Sequence, residues 1–254
     1  MTSKSDRAAQ ARAQAKAKAQ AEVKAKERRT TAIVIAVSIA VIAVFAGVVY
    51  FIVDTSKTPT LAEAHAPAGS DETGGILVGA AGGELRTDIY LDFLCPYCKI
   101  FEDTNAETLT SMSEAGDVSI YYHMLNGLDP YSNGTKYSTR TANAAAVVSD
   151  RSPEHLADFY AILFANQPAE QTPGLTDAEI ANLAVSVGVP QEVADTFVDG
   201  EFNDWVNAAA QQASIDGVTA TPTFMVNREP VNIQEVPFLQ EGVLGPFLES
   251  QLAG

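Results

Sequence analysis

Two cysteines, Cys95 and Cys98, are the only cysteines in this chain of 254 residues. Pro96 and Tyr97 separate them, and the pair stands where an apolar, strand-like stretch gives way to a helix-forming one. A lone pair of cysteines at this spacing is typical of redox chemistry rather than of a structural scaffold. In such chemistry one thiolate exchanges with a disulfide and the second cysteine resolves the mixed disulfide. The spacing therefore predicts a dithiol–disulfide centre.

The proline between the two cysteines indicates how they divide this work. Pro96 suits the first position of a helix, because the N–H that proline lacks is unpaired there in any residue. Cys95 then lies at the helix N-cap, where free backbone N–H groups and the positive end of the helix stabilise a thiolate. Cys98 lies one turn further in. We predict that Cys95 is the exposed thiol with a lowered pKa and that Cys98 is the sheltered, resolving thiol.

Half of a zinc site is the structural alternative for this pair. A structural zinc ion has four ligands, so two more would be needed. The chain has only three histidines, His65, His123 and His155, and they are scattered along the sequence. Carboxylates could complete such a site, but no pattern marks any of them. We therefore predict no metal site and no cofactor.

A second motif lies far along the chain, at Thr221-Pro222 before the apolar run 223–226. Proline cannot donate to the hydrogen bonds of a sheet, so it marks an edge, the start of a strand or a cis peptide bond. The motif alone does not distinguish between these three.

Apolar and polar periodicity predicts an α/β domain around the two motifs. Strand, helix and strand come first, a block of helices follows, and two strands and a helix end the chain. The predicted strands are 76–78, 87–93, 118–124, 223–226 and 231–233. The predicted helices are 96–114, 138–149, 153–165, 177–187, 191–199, 201–216 and 245–252.

The N-terminal region has the charge pattern of a membrane anchor. Residues 1–30 contain nine Lys and Arg against three Asp and Glu, and residues 32–53 carry no formal charge. A 22-residue helix is roughly 33 Å long, enough for a hydrocarbon core of about 30 Å. Since only Lys57 soon follows this span, the positive charge places the N-terminus in the cytoplasm. Lipid contact explains the basic tail better than nucleic acid, because the tail adjoins the span.

Two alternatives apply to the apolar stretch. A buried core helix would show a polar stripe, and only Ser38 and Tyr50 interrupt this one. A cleaved signal peptide would have a shorter apolar region, and the small-residue motif at 64–66 is far from it. We predict an uncleaved anchor and an extracytoplasmic catalytic domain. The predicted units are a cytoplasmic basic tail (1–31), a transmembrane anchor (32–53), a flexible tether (54–74) and one catalytic domain (75–254).

Taken together, the two motifs resemble the DsbA-like thioredoxin fold, in particular its membrane-anchored bacterial branch. The resemblance covers roughly 75–252 and rests on Asp92 to Lys99 with Phe101-Glu102, on Gly217-Val218 and on Thr221 to Phe224. It implies a thioredoxin-like α/β fold with a helical insertion, preceded by one N-terminal transmembrane helix. A compact glutaredoxin would lack room for that insertion.

The resemblance also implies roles for particular residues. Thr221-Pro222 would be a cis bond whose loop contacts the Cys95 sulfur and, with Pro96 and Tyr97, binds an extended client segment. Asp92 matches an acidic position found in the membrane-anchored bacterial branch. It would either relay a proton or simply end its strand. Strongly oxidising members carry Pro-His between the cysteines, whereas Pro96-Tyr97 is the pair found in glutaredoxins.

The implied function is an extracytoplasmic thiol-disulfide oxidoreductase at the cell membrane that introduces disulfides into secreted proteins. Its partners would be reduced or unfolded secreted clients, membrane lipid and a quinone-linked membrane oxidase of the DsbB or VKOR kind. Two alternatives remain open. One is a disulfide reductase or isomerase of the same fold, and the other is an anchored chaperone that uses the same client groove without turnover.

Overall fold

The computed structural model describes residues 59–253, which contain a five-stranded mixed sheet in the order β1-β3-β2-β4-β5. The strands are β1 Ile76–Val78, β2 Leu85–Leu91, β3 Val118–Met124, β4 Thr223–Val226 and β5 Glu229–Pro230. The α-helices are α1 Pro96–Ala115, α2 Tyr137–Arg151, α3 Leu156–Ala165, α4 Asp177–Ser186, α5 Gln191–Ala194, α6 Asn203–Ile215 and α7 Leu244–Leu252. Helices α2 to α6 form the predicted insertion between β3 and β4.

The pairing of the central strand β2 explains why distant motifs meet. β2 pairs with β3 in parallel from Leu85↔Val118 to Leu91↔Met124, so both strands end at the same edge of the sheet. β2 pairs with β4 in antiparallel fashion, so β4 begins at that edge. The segment after β2, which carries the cysteines, therefore lies beside the residues that precede β4. The topology thus brings the dithiol next to the Thr221-Pro222 motif.

Aromatic rings join the insertion to the segment that carries the cysteines. Phe93 follows β2 and is 1% exposed, and its ring lies 5.3 Å from that of Tyr160 and 5.1 Å from that of Phe164, between ring centroids. Both partners belong to α3. Such contacts add to the apolar area that the core buries. The insertion is therefore packed directly against the dithiol segment.

The last strand differs from its prediction. The sequence predicts a strand at 231–233, whereas the structure places β5 at Glu229–Pro230. The reason is the turn at Asn227 and Arg228, whose φ angles are 52° and 70°. Two consecutive residues with positive φ form a two-residue hairpin, so pairing resumes immediately at Glu229. The prediction of a strand at 231–233 was wrong.

The predicted tether also differs in the part that the structure describes, residues 59–74. Ser149 Oγ donates a hydrogen bond of 2.8 Å to the carbonyl of Ala68, and Asp71 forms a salt bridge with Arg86. Long-range contacts of this kind hold the segment against the domain. Residues 59–74 therefore form part of the folded domain rather than a flexible tether.

The predicted basic tail and anchor lie outside the described residues. Between residues 59 and 253, no helix combines the length and apolar character needed to cross a membrane.

Charge is strongly unbalanced in the described domain. Residues 59–253 contain 28 Asp and Glu but only six Lys and Arg. Five of these six cations form salt bridges with carboxylates, namely Arg86–Asp71, Lys99–Asp103, Arg140–Asp177, Arg151–Glu201 and Arg228–Glu72. Most positive charge in this part of the chain is therefore neutralised locally, and unpaired carboxylates remain.

Candidate active site

The dithiol lies at the start of α1, as its sequence predicts. Cys95 is the N-cap, with extended backbone angles (φ −75°, ψ 117°), and Pro96 is the first helical residue. The Cys95 N–H donates 2.9 Å to the carbonyl of Asp92, which forms a tight turn after β2. The Cys98 N–H donates 3.0 Å to the carbonyl of Cys95 and begins the helix. Both cysteines are free thiols.

Hydrogen bonds to its sulfur lower the pKa of Cys95 to about 6. The main cause is a hydrogen bond from the Cys98 thiol, and burial opposes it. The Thr221 side chain and the backbone N–H groups of Cys98 and Tyr97 contribute further in the lowering direction. Donors at a helix N-terminus stabilise a thiolate in this way. Cys95 is therefore the thiol that is ionised near neutral pH.

The second thiol has the opposite environment. Burial raises the pKa of Cys98 well above its ordinary value, and the nearby Cys95 sulfur raises it further. Cys98 is 1% exposed and Cys95 is 5% exposed. Cys98 is thus the sheltered thiol, but Cys95 is not the exposed thiol that the sequence predicts. The loop before β4 covers it, because the Cys95 sulfur lies 3.4 Å from the carbonyl oxygen of Thr221.

The other predicted site residues lie on the two segments that meet at this sulfur. The Thr221–Pro222 peptide bond is cis, as the resemblance implies. Pro96 and Tyr97 lie on the exposed first turn of α1, with Tyr97 61% exposed. The structure therefore brings the two motifs together at the Cys95 sulfur and leaves the Tyr97 side chain exposed.

Asp92 directly follows β2 and is buried, with 1% exposure. Its Oδ1 accepts hydrogen bonds from Leu94 N (2.9 Å) and Ser138 Oγ (2.6 Å), and its Oδ2 accepts one from Leu128 N (3.0 Å). Burial nonetheless raises the pKa of Asp92 to about 6, against these hydrogen bonds and with a smaller contribution from Cys95. Asp92 can therefore exchange a proton near neutral pH.

A cavity of about 330 Å³ opens beside Asp92 and Thr221. Apolar side chains form much of its wall, between the loop after β3 and the end of α6. The remaining lining residues are Leu125, Asn126, Gly127, Leu128, Ala210, Ser214, Val218, Thr219 and Ala220. Since Thr221 contacts the Cys95 sulfur, this cavity adjoins the dithiol.

Two polar residues near the site carry no predicted role. Glu102 is 7% exposed, and its Oε2 accepts a hydrogen bond of 3.0 Å from the Tyr122 hydroxyl. Burial raises the pKa of Glu102 to about 7, against that hydrogen bond, while nearby Asp103 raises it slightly more. One feature of the sequence could have identified Glu102: it lies four residues after Cys98, on the same face of the helix.

The second is Gln167, whose side-chain amide donates to the carbonyls of Phe93 and Cys95. It lies 72 residues from Cys95, and no local pattern links the two. Within residues 59–253, no three or more His, Cys, Asp or Glu side chains are arranged to hold a metal ion.

Comparisons with known proteins agree with this fold. Residues 71–238 match the family model described as Thioredoxin. The structure of reduced DsbA from Mycobacterium tuberculosis is 30% identical, with a TM-score of 0.53 over 73% of this chain and 96% of that one. The reduced form of the disulfide bond oxidoreductase DsbG from the same organism is 31% identical, with a TM-score of 0.53 over 73% and 91%.

The chain therefore belongs to the thioredoxin family, within its DsbA-like group of thiol-disulfide oxidoreductases. Among curated proteins, the serine/threonine-protein kinase PknE of Mycobacterium tuberculosis is 31% identical over 173 residues. That match covers 65% of this chain and 31% of the kinase, so the chain spans about a third of the length of this relative.

Proposed function

We propose that this protein introduces disulfides into secreted proteins through Cys95 and Cys98. The observation that carries the proposal is the stabilised Cys95 thiolate, whose pKa is lowered to about 6. A stabilised thiolate favours the reduced dithiol, and a dithiol that is stable when reduced makes its disulfide a stronger oxidant. The geometry therefore supports transfer of the disulfide from the enzyme to a client.

The proposed reaction begins with the Cys95–Cys98 disulfide. A client thiolate attacks the Cys95 sulfur, a mixed disulfide forms, and the Cys98 sulfur leaves and takes up a proton. A second client thiolate then attacks the client sulfur of the mixed disulfide and releases Cys95 as the thiolate. The client loses two electrons and gains a disulfide, while the enzyme becomes the dithiol.

We propose that the client binds along the Thr221-Pro222 loop. Thr221 contacts the Cys95 sulfur, and Tyr97 is exposed on the first turn of α1, between the two cysteines. The 330 Å³ cavity next to Thr221 has room for a client side chain beside the reacting cysteine. Its largely apolar wall favours an uncharged side chain, because an unpaired charge is costly to desolvate.

Asp92 is proposed as the group that exchanges the proton of Cys98. The Asp92 backbone N–H is among the groups that face the Cys98 sulfur, and the carboxyl has a pKa of about 6. The Asp92→Asn substitution should slow the attack of Cys98 on a Cys95 mixed disulfide by at least about tenfold, since general-base assistance is lost. Acid quenching and thiol mapping measure this step.

Asp129→Asn is the matched control for that experiment. Asp129 accepts hydrogen bonds from Thr139 at the start of α2, one helical residue after the Ser138 that bonds Asp92. This control should resolve the mixed disulfide at the rate of the unmodified protein. Equal rates for Asp92→Asn would leave Asp92 only the role of ending β2.

The reduction potential tests the direction of the reaction. Tyr97 adds no positive charge beside Cys95, so we expect a potential between those of DsbA and the glutaredoxins, roughly −120 to −230 mV. Tyr97→His should raise the potential by adding a donor and partial charge. Equilibration with glutathione buffers measures both proteins. A value near −270 mV, as in thioredoxin, would instead favour the reductase or isomerase.

We further propose a cell-membrane location, with the catalytic domain outside and a quinone-linked oxidase of the DsbB or VKOR kind as the regenerating partner. The basic residues before the apolar segment 32–53 support this orientation. Protease added to intact cells should degrade the domain and leave a membrane-bound N-terminal fragment. Complete protection of the domain would reverse the topology, and its release without protease would indicate a cleaved signal.

A further inference from the structure

The segment that follows α3 contacts the turn that carries Cys95. α3 ends at Ala165, and Gln167 follows two residues later, immediately before Pro168. A residue before proline is restricted towards extended conformations, which limits how the Gln167 backbone can move. The Gln167 side chain is half-buried and donates two hydrogen bonds of 2.9 Å, one to the carbonyl of Phe93 and one to that of Cys95.

The two carbonyls belong to the turn that connects β2 to α1 and contains Cys95. The Cys95 carbonyl also accepts from Cys98 N at 3.0 Å and from Lys99 N at 3.3 Å, so it is part of the first turn of α1. A carbonyl oxygen carries partial negative charge, which opposes a nearby thiolate. Both amide hydrogens of Gln167 offset that charge within the same turn.

A second contact holds the same two segments together. The Phe164 ring, also near the end of α3, packs 5.1 Å from that of Phe93. This apolar contact does not depend on Gln167. Loss of the Gln167 amide should therefore leave the insertion docked while it frees the two carbonyls, which allows position and stability to be separated by experiment.

We propose that Gln167 is a positioning residue of the dithiol centre, which holds the Phe93–Cys95 turn so that the Cys95 sulfur stays at the N-terminus of α1 and against Thr221. This role rests on the proposed dithiol exchange. Gln167 itself touches no reacting atom. It gives the helical insertion a direct part in the reactivity of Cys95, in addition to its packing role.

Two substitutions test this proposal with opposite chemistry. Gln167→Met keeps the length of the side chain and removes both donors, whereas Gln167→Glu keeps the shape and presents a carboxylate to two carbonyls. Because the two freed carbonyl dipoles then oppose the Cys95 thiolate, Gln167→Met should raise the pKa of Cys95 by about half to one unit. Gln167→Glu should raise it further. The pH dependence of thiolate absorbance and of alkylation measures the shift.

Asn166→Ala provides the matched control, because the exposed Asn166 amide donates only within its own helix end, to Ile162 O at 2.9 Å. This variant should keep the Cys95 pKa and the oxidation rate of the unmodified protein. Thermal unfolding of all three variants reports on stability. An unchanged Cys95 pKa in Gln167→Met would overturn the proposal, and a fall in melting temperature alongside that result would reduce Gln167 to a structural role.

These outcomes are separable from those of the proposed function. The Cys95 pKa is measured on the reduced protein without a client or a regenerating partner. A reduction potential in the thioredoxin range would therefore overturn the proposed oxidase function but would leave the result on Gln167 unaffected. Conversely, a normal oxidase with no response to Gln167→Met would overturn only the positioning role.

Discussion

Cys98→Ala should accumulate mixed disulfides with an unfolded client, whereas Cys95→Ala should accumulate few. The pKa of Cys95 is lowered to about 6 and that of Cys98 is raised well above its ordinary value. At neutral pH Cys95 is therefore the residue that is largely thiolate, whereas Cys98 stays largely protonated. Cys95 therefore attacks, and without Cys98 nothing within the enzyme resolves the product.

A client with a single disulfide makes this comparison balanced. The Cys95 thiolate of reduced Cys98→Ala breaks the client disulfide, forms one mixed disulfide and releases one client thiolate. Non-reducing gels and mass mapping count the trapped species, with the unmodified protein as the control that resolves them. Equal trapping by the two variants would show interchangeable thiols, and a client complex that needs neither cysteine would favour a chaperone.

Glu102→Gln should stabilise the protein at alkaline pH. Burial raises the pKa of Glu102 from 4.5 to about 7, so the folded state binds this proton more tightly than the unfolded state does. The contribution of Glu102 is therefore most favourable below pH 4.5 and becomes less favourable as pH rises towards 7. Gln cannot ionise and can still accept from Tyr122. The gain above pH 7 should be at most about 3 kcal/mol.

Urea unfolding across a pH series measures this effect. Glu107→Gln, on the exposed face of the same helix, is the matched control and should follow the unmodified protein. Because Asp92 also has a raised pKa, the pH dependence of stability should not vanish in Glu102→Gln. The test is the difference between the Glu102 variant and the unmodified protein. A difference that stays constant from acidic to alkaline pH would contradict ionisation of a buried Glu102.

Local pattern predicted the elements that carry the site. The strands 118–124 and 223–226 have their predicted bounds, because β3 alternates apolar residues and β4 follows a proline. Helix α1 begins at the predicted Pro96 and ends one residue beyond its predicted end at 114. The two motifs were predicted to meet through a family resemblance rather than from spacing, and the pairing of β2 with β3 and β4 brings them together.

Other features could not be read from local pattern. The position of β5 depends on positive φ angles at Asn227 and Arg228, and an arginine in a sequence does not predict a positive φ angle. The Gln167 contact depends on where a whole block of helices docks, and side-chain amides occur on many protein surfaces. Burial of Cys95 results from the loop at Thr221, which is distant in sequence. Each of these belongs to tertiary structure.

The unbalanced charge of the domain has a consequence for the speed of encounter. With 28 acidic and six basic residues between 59 and 253, and five of those six already in salt bridges, the domain has a long-range attraction for positively charged chains. We expect this field to accelerate diffusional capture of a cationic unfolded client relative to an acidic client of equal thiol reactivity. Added salt screens this field over about 10 Å, so the two clients converge in rate as ionic strength rises. The preference between two such clients should thus depend on ionic strength as well as on the cavity beside Thr221.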